Sequence, residues 1–590
     1  MPARPSSVPA PGQAPLPAPN AAALLRRNAA DPLIAARPAV RFGSRVWTHG
    51  EYVAEACRWA NLILAITPEA GPRHVGVLLD NTPDYLFALG GAALAGATVV
   101  GANHTRKGEH LARDLVHTDV AALVTEPRHL GDVEAIVDHL PFGPERIVVS
   151  HRYEELSDGS PAGPLTDGID LDVALAGVPA DDPGLDPDVA TPWALIFTSG
   201  TSSAPKAVIC SQRRLLQTGA RMATMLAIGP DDVGYVCMPL FHSNAVMVGW
   251  APSIVAGASV GLARRFSASG WLPDVRRYGA TWFNYTGKPL AYLVATPEQP
   301  DDADNPLRVA FGNEGSPEVV ETFGRRFGVH VIDAFGATEG GLALNRDGDV
   351  KPGAMGIAGP AIRIVDEDGH ELPTAELDAE GRLVNPEACV GEIVNTAGAG
   401  PFEGYYNNAE ATERTLRNGW YWSGDLGYLD ADRNLFFAGR TADWIRVDGE
   451  NFPSGPIEAA LGRHPDVVVA AVYGVPDEQA GDQAMAALVL RDDAAFDPAA
   501  FSGWLDGLDD VGPKWRPRYL RLARELPTTG TNKVVKRTLV HQKFRHDRVA
   551  GDELWVRGRG EDQYRPFTEL DERALHDTFV RAGRERFWDL

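Results

Sequence analysis

Leu195-Ile-Phe-Thr-Ser-Gly-Thr-Ser-Ser-Ala-Pro-Lys206 is the stretch from which the fold is read. Ala194 to Phe197 is an apolar run of the kind a buried strand presents. The hydroxyl-bearing and small residues after it let the backbone bend until its N–H groups converge on an anion, with Lys206 adding a point charge. This predicts a strand followed by a phosphate cradle in which Thr198, Ser199, Gly200, Thr201, Ser202 and Lys206 surround the phosphates of ATP. The cradle is not of the G-x-x-x-x-G-K-[ST] type, which occurs nowhere; Gly287-Lys288 is followed by Pro289 and has Trp282 where the first glycine belongs. Standing alone, the run would read equally well as a surface loop after a core strand.

Upstream, V-G-V-L-L-D from Val75, then N-T-P-D-Y-L-F-A-L-G-G-A-A-L-A-G-A, then T-V-V-G alternate a buried strand, a helix capped near Asn81 or Thr82, and a second strand. Ala121–Thr125 and Arg146–Ser150 continue the strands, which predicts an α/β fold of doubly wound sheets. The Asp/Gly/Pro-rich segment from Asp158 to Asp188 reads as a long connection into the phosphate loop. Met1 to Asn20, rich in Pro and Ala, reads as a disordered tail.

The 590 residues, 44% of them hydrophobic, are enough for two or more domains with large cores. Lys plus Arg number 55 against 79 Asp plus Glu, a formal charge of -24, so the overall field repels nucleic acid and ATP needs a local positive site. Cys57, Cys210, Cys237 and Cys389 are widely separated with no C-x-x-C, which points to neither zinc nor a disulfide framework and fits a reducing cytoplasm. No signal peptide is expected, and the most apolar run, Ala88 to Ala102, is too short and glycine-rich for a transmembrane segment.

Three further motifs follow the phosphate loop: F-G-A-T-E-G (Phe335–Gly340), Y-W-S-G-D-L-G (Tyr421–Gly427) and G-R-T-A-D-W-I-R-V-D-G-E (Gly439–Glu450). In order and approximate spacing the set resembles the adenylate-forming superfamily, and within it the bacterial acyl-CoA synthetases, from about Ala21 to Arg545. The resemblance implies an N-terminal adenylation domain over 21–439, a small mobile C-terminal α/β domain over 440–543 and an extension over 544–590. It implies ATP-dependent conversion of a small-molecule carboxylic acid to acyl-AMP and pyrophosphate, then transfer to CoA. It puts Asn313, Glu314 and Gly315 (in G-N-E-G-S-P) and Phe335 and Gly336 against adenine, Thr338 on the phosphates and Glu339 on Mg²⁺, a hard ion that one carboxylate plus substrate phosphates can hold. Asp425 falls on the ribose hydroxyls and Arg440 near ribose or phosphate. Lys533, in P-T-T-G-T-N-K-V-V-K-R, takes the position of the catalytic lysine.

For the acyl pocket the resemblance implies His242, Phe283, Tyr285, Gly287 and Gly341, with Leu290 and Leu293 in the wall and Gly287 leaving space for a bulky acid. Phe283, Tyr285, Leu290 and Leu293 read equally as ordinary core residues. His242 stands where amino-acid-selecting relatives usually carry Asp, which argues against an amino-acid substrate. Arg446, Gly449 and Glu450 fall on the thioester-forming face that meets CoA. Four positions depart from the family pattern: Ser203 and Ala207 in the phosphate loop, Asn532 before Lys533, and Ala442 at the hinge, where Asp or Lys is usual. Ala442 motivates an alternative in which the enzyme stops at acyl-AMP or passes it to a carrier protein or partner ligase. A non-catalytic acyl-binding homologue is a further alternative. Gly257-Ala258-Ser259-Val260-Gly261 matches a hydrolase elbow, but the pattern around it runs helix to strand, the reverse of what that motif needs.

Overall fold

The computed structural model describes residues 16–589 except 154–167, 199–204, 316, 347–349, 352, 379–382, 441–443, 448–449, 479–481, 509–510, 513–514, 530–533, 550, 559 and 582–583. The strand–helix–strand pattern is realised as His74–Leu78, Pro83–Ala95 and Thr98–Gly101. Both strands are buried throughout and pair in parallel. Every residue of the helix between them is buried, which is why its sequence carries no polar stripe. Thr82 is the cap residue, with Pro83 setting the first turn in place of a side-chain hydrogen bond.

These strands belong to a seven-stranded sheet that also takes in Ala122–Thr125, Ile147–Val149, Ile169–Asp170, Pro192–Phe197 and Ala207–Ser211. Pairing is parallel except at the last step, where Pro192–Phe197 and Ala207–Ser211 run antiparallel. The Asp158–Asp188 segment is not a bare connection: among its described residues it contributes the Ile169–Asp170 strand and the Leu171–Ala176 helix, capped by Asp170.

An eight-stranded sheet carries, next to one another and in parallel, Val233–Val236, Trp282–Thr286, Val309–Asn313 and His330–Gly336. The two sheets share one core, in which the Trp193 and Trp250 rings stack 5.5 Å apart. Helix Ala251–Ala256 ends on Gly257 and strand Ser259–Leu262 follows, the helix-to-strand order that removes the hydrolase-elbow reading. A third, six-stranded antiparallel sheet, centred on Trp420–Leu429, was not legible as a separate unit in the sequence. Asn20 does not belong to a tail: it is 4% exposed and its side chain accepts from the Ala23 N–H at the start of the Ala21–Ala30 helix.

Beyond the Trp444–Val447 and Glu450–Pro453 hairpin, Val467–Pro476, Asp482–Leu490 and Tyr519–Leu522 form a separate sheet. That sheet continues into the C-terminal extension. Glu553–Val556 pairs antiparallel with Tyr519–Leu522, and Arg565–Pro566 pairs with Glu553–Val556. Phe544, Phe567, Phe579 and Trp588 share a buried cluster with Tyr473, Met485 and Tyr519, and Tyr564 enters a second cluster with Phe501 and Leu520. The aromatic residues of the extension are therefore core residues of the small unit. Trp588→Ala removes a ring packed 5.6 Å from Phe544 and 5.4 Å from Phe579; loss of about 3 kcal/mol is expected, seen as earlier urea unfolding of this unit with the N-terminal sheets unchanged.

Candidate active site

Three loops leave the same edge of the eight-stranded sheet. Across its parallel strands Thr286 lies beside Asn313, and Asn313 beside Ala334. The residues that follow, Gly287, Glu314 and the Phe335–Gly340 motif, therefore emerge together at the carboxyl ends, where ligands of open α/β sheets bind. The third loop is reached through the side chain of Asp333. Its Oδ2 accepts from the Tyr285 hydroxyl and the Gly315 N–H, both at 2.9 Å, and its Oδ1 lies 3.1 Å from Arg346 Nη1. Arg346 Nη1 also donates to the Gly315 carbonyl at 2.8 Å. Glu314 is held at φ +66, a conformation few non-glycine residues adopt.

This arrangement corrects the reading of Gly287. A Cβ there would sit 1.8 Å from the Glu314 carbonyl oxygen, so the missing side chain accommodates the Glu314 backbone and not a bulky acid. Gly341 is likewise a packing position: a Cβ would meet the Tyr421 ring at 2.4 Å, which sets the F-G-A-T-E-G-G and Y-W-S-G-D motifs directly against each other. Phe283 is fully buried among Trp271, Tyr235 and Phe323, with ring centroids 5.4, 6.0 and 6.4 Å away, the packing of a core residue that the sequence equally allowed. Tyr285 is a brace on Asp333, and Leu290 and Leu293 are buried in the same core. His242 lies against Phe241, ring centroids 4.4 Å apart, immediately before a π-helical segment at Asn244–Trp250. Ser243, the residue before that segment, has its Oγ 2.9 Å from Thr338 Oγ1.

At the opening stretch, Pro192–Phe197 is the expected buried strand, and the Thr198 N–H donates to the Lys206 carbonyl at 3.0 Å, closing the base of a hairpin. Ser199, Gly200, Thr201 and Ser202 lie outside the described residues, as do Ala442, Gly449 and Lys533. The outer edge of strand Ala207–Ser211 is taken by the Gly404–Tyr406 segment. The Ile209 N–H donates to Gly404 and the Tyr406 N–H to Ala207, at 3.1 and 2.8 Å, and Val208 and Tyr405 form an antiparallel bridge. Pairing on that edge brings Tyr405 beside Lys206.

Lys206 Nζ sits over the Tyr405 ring, 5.4 Å from its centroid, and the Tyr405 hydroxyl donates to Glu339 Oε1 at 2.6 Å. Glu339 is 9% exposed. Burial and the neighbouring carboxylate push the Tyr405 phenol well above its usual range, so it stays a donor. Arg214 donates to the Thr338 carbonyl, fixing the turn from the other side. Sequence reasoning did not single out Tyr405, Arg214, Ser243 or Asp333. Nothing local marks these residues, because each acts on a partner far along the chain.

Asp425 is 6% exposed on strand Trp420–Leu429, and its N–H donates to Ser423 Oγ at 3.1 Å. Across the antiparallel ladder it stands opposite Arg440, while Arg446 and Glu450 belong to the facing strands of the Trp444–Pro453 hairpin. Phe335 lies 5.8 Å from Phe437, ring to ring. The segment around Lys533 is bracketed by described residues: Thr528 bridges Val534, and the Val535 N–H donates to Pro527 at 2.8 Å. Among the described residues no helix is long and apolar enough to cross a membrane.

A family model of AMP-binding enzymes matches residues 26–406, and one of the AMP-binding enzyme C-terminal domain matches 456–533. Steroid-22-oyl-CoA synthetase from Rhodococcus jostii (strain RHA1) is 45% identical over 555 residues, covering 93% of this chain and 96% of that protein. Medium/long-chain-fatty-acid–CoA ligase FadD17 from Mycobacterium tuberculosis (strain ATCC 25618 / H37Rv) is 46% identical over 495 residues, covering 83% and 89%. Among solved structures, anthranilate CoA ligase AuaEII in complex with anthranoyl-AMP superposes with a TM-score of 0.75 at 23% identity, covering 88% of this chain and 96% of that one. ATP-bound MatB from Rhodopseudomonas palustris gives 0.72 at 23% identity, covering 88% and 98%. At that identity the two structures speak for the fold.

Burial raises the Asp333 carboxyl to about 6, against the opposing pull of Arg346, the Gly315 N–H and the Tyr285 hydroxyl. With the folded value above the ordinary 3.8, the contribution of this group is fully present below about 3.8 and is lost as pH rises through about 6. The stability of the wild type relative to Asp333→Asn is expected to fall by about 3 kcal/mol between pH 4 and pH 7. A difference independent of pH in urea titrations would contradict this.

Proposed function

Because the chain belongs to the AMP-binding enzyme family, we propose that it activates an apolar carboxylic acid with ATP and then passes the acyl group to CoA. The observation that carries the reading is the convergence of Lys206, Tyr405 and Glu339 from distant segments onto one buried corner. Relatives named for steroid-22-oyl and medium- or long-chain fatty acyl substrates support an apolar acid, polycyclic or aliphatic.

In the first half-reaction a carboxylate oxygen of the acid attacks the α-phosphorus, and the bond to the bridging oxygen of the β-phosphate breaks as pyrophosphate leaves. Two anions must meet, a repulsion of roughly 4 kcal/mol per charge pair at ~4 Å and an effective dielectric of ~20. Lys206, already at the loop base, and Lys533 offset it. Glu339 fits a hard divalent ion: it is a buried carboxylate with one oxygen held by Tyr405, its other oxygen unclaimed among the described residues. Mg²⁺ bound there would neutralise phosphate charge. Asp425 accepts from the ribose hydroxyls, with Arg440 beside it, and Phe335 faces adenine with Asn313 to Gly315. Thr338 is fixed by Ser243 and Arg214 where it can meet the phosphates. In the second half-reaction the CoA sulfur attacks the acyl carbon of the mixed anhydride, AMP leaves, and the thiol proton passes to solvent. Arg446, Gly449 and Glu450 form the face turned to CoA, and Ala442 the hinge between the two steps.

The test is mass spectrometry of products from fatty, aryl and steroid side-chain acids with ATP and Mg²⁺, with and without CoA. Acyl-CoA in the complete reaction is expected. Acyl-AMP that persists with CoA present would transfer the second step to a carrier protein or partner ligase, in keeping with Ala442, and no AMP from any acid would refute the proposal. Lys533→Ala is expected to lower pyrophosphate release by about a hundredfold or more. Tyr405→Phe, which leaves the buried Glu339 short of a donor, should lower it by about tenfold and raise the Mg²⁺ concentration at half-maximal rate.

A further inference from the structure

Helix Gln212–Met225 begins at the Thr338 corner and runs down one face of the eight-stranded sheet. Arg214, in its first turn, donates to the Thr338 carbonyl, while Met222 and Met225, in its last turn, join a cluster with Trp282, Val309, Phe311 and Val248. Trp282 and Val309 are the first residues of their strands, so the helix reaches from the carboxyl ends of the sheet toward the opposite end. The π-helical Asn244–Trp250 segment packs along it.

Arg221 lies between the two ends of this helix, seven residues after Arg214 and four before Met225, and residues so spaced share a helix face. Its Nε is buried and has no hydrogen-bond partner among the described residues. Five described arginines carry a nitrogen of this kind. Arg106, Arg264, Arg516 and Arg518 each have a carboxylate within ion-pair distance. Arg221 has none among the described residues, and burial pulls its pKa down with no carboxylate acting against the shift. A guanidinium kept from water without an acceptor is costly, and a ligand that brings an oxygen to it removes that cost.

We propose that Arg221 is a specificity-determining residue that receives an oxygen acceptor at the far end of the acid, a ring oxo group on a polycyclic substrate or a terminal hydroxyl on an aliphatic one. Helix geometry sets the distance. Seven residues at 1.5 Å each put Arg221 about 10 Å along the helix from the turn that holds Thr338, where the carboxylate meets ATP. Val248 and Phe311, half-buried on the cluster that includes Met222, suit an apolar body of that length. The substrate is then an apolar acid with a polar oxygen about 10 Å from its carboxyl group, a narrower class than the one proposed above. This rests on the adenylation reading and adds to it the chemistry of the substrate's remote end.

The test measures kcat/KM for pyrophosphate release by the full-length enzyme with ATP, Mg²⁺ and matched pairs of acids. One pair is a steroid side-chain acid with and without an oxo group on the ring farthest from the carboxyl; the other is a medium-chain fatty acid with and without a terminal hydroxyl. In the wild type the oxygen-bearing member of one pair is expected to exceed its partner by about tenfold, chiefly through KM, and the pair that does so identifies the substrate type. In Arg221→Met and in Arg221→Gln that ratio should fall to about twofold or less. The ratio is read within one protein, so a smaller folded fraction in a variant does not alter it, and Arg221→Gln keeps the test decisive if Arg221→Met misfolds. A wild-type enzyme that treats both members of each pair alike, or a ratio that survives in the variants, would overturn the assignment with adenylation intact. A wild-type enzyme that forms no acyl-AMP from any acid would overturn both.

Discussion

The side chain of Asp333 is the tie on which the loops at the carboxyl end of the eight-stranded sheet depend. Parallel strands place the ends of Trp282–Thr286, Val309–Asn313 and His330–Gly336 side by side, but loops leaving such an edge are not fixed by the ladder itself. One buried carboxylate fixes them here: it takes a phenol from the first strand, an N–H from the loop after the second, and the guanidinium of Arg346 beyond the third. Gly287 then lets the Glu314 backbone come closer than any side chain would permit. Tyr285, Gly287, Gly315 and Arg346 are in this sense one device.

A second device joins the two sheets. The paired strands Pro192–Phe197 and Ala207–Ser211 belong to the seven-stranded sheet, Glu339 follows the last parallel strand of the eight-stranded one, and Tyr405 comes from the Gly404–Tyr406 segment that runs along Ala207–Ser211. Tyr405 serves both, with its ring under Lys206 and its hydroxyl on Glu339. The corner is built so that a cation and an anion lie close together without forming an ion pair that would consume both charges.

Much of this was legible in the residues. Apolar runs bounded by turn formers gave the strands near Val75, Thr98, Ala122 and Leu195, because a strand buried on both faces is continuous in hydrophobicity. The chemistry-bearing motifs were legible because hydroxyl, glycine and carboxylate residues are unusual in so dense a grouping. The misreadings share a cause. Gly287 was taken as space and is instead a crossing point of two backbones; Phe283 was offered both as pocket lining and as core, and it packs among core rings. Whether a small or aromatic residue faces a cavity or a neighbour is decided by the other partner, and Glu314 and Trp271 are not adjacent in sequence to the residues they fill. Tyr405 and Asp333 escaped notice for the same reason. The role of the extension after Phe544 was not legible because its strands are short and its aromatic residues scattered, so no periodicity announced that they complete a sheet.

That completion has a consequence for the order in which the chain is made. Strand Tyr519–Leu522 is flanked by Asp482–Leu490 on one side and Glu553–Val556 on the other, and the cluster around it runs from Ala471 to Trp588. The N-terminal sheets own a core that closes with residues up to Leu435 and can fold while the ribosome is still at work. The small unit cannot: its inner strand waits, half covered, until Trp588 has been synthesised. Until then the cluster around Met485 and Tyr519 lacks the partners that the last residues supply.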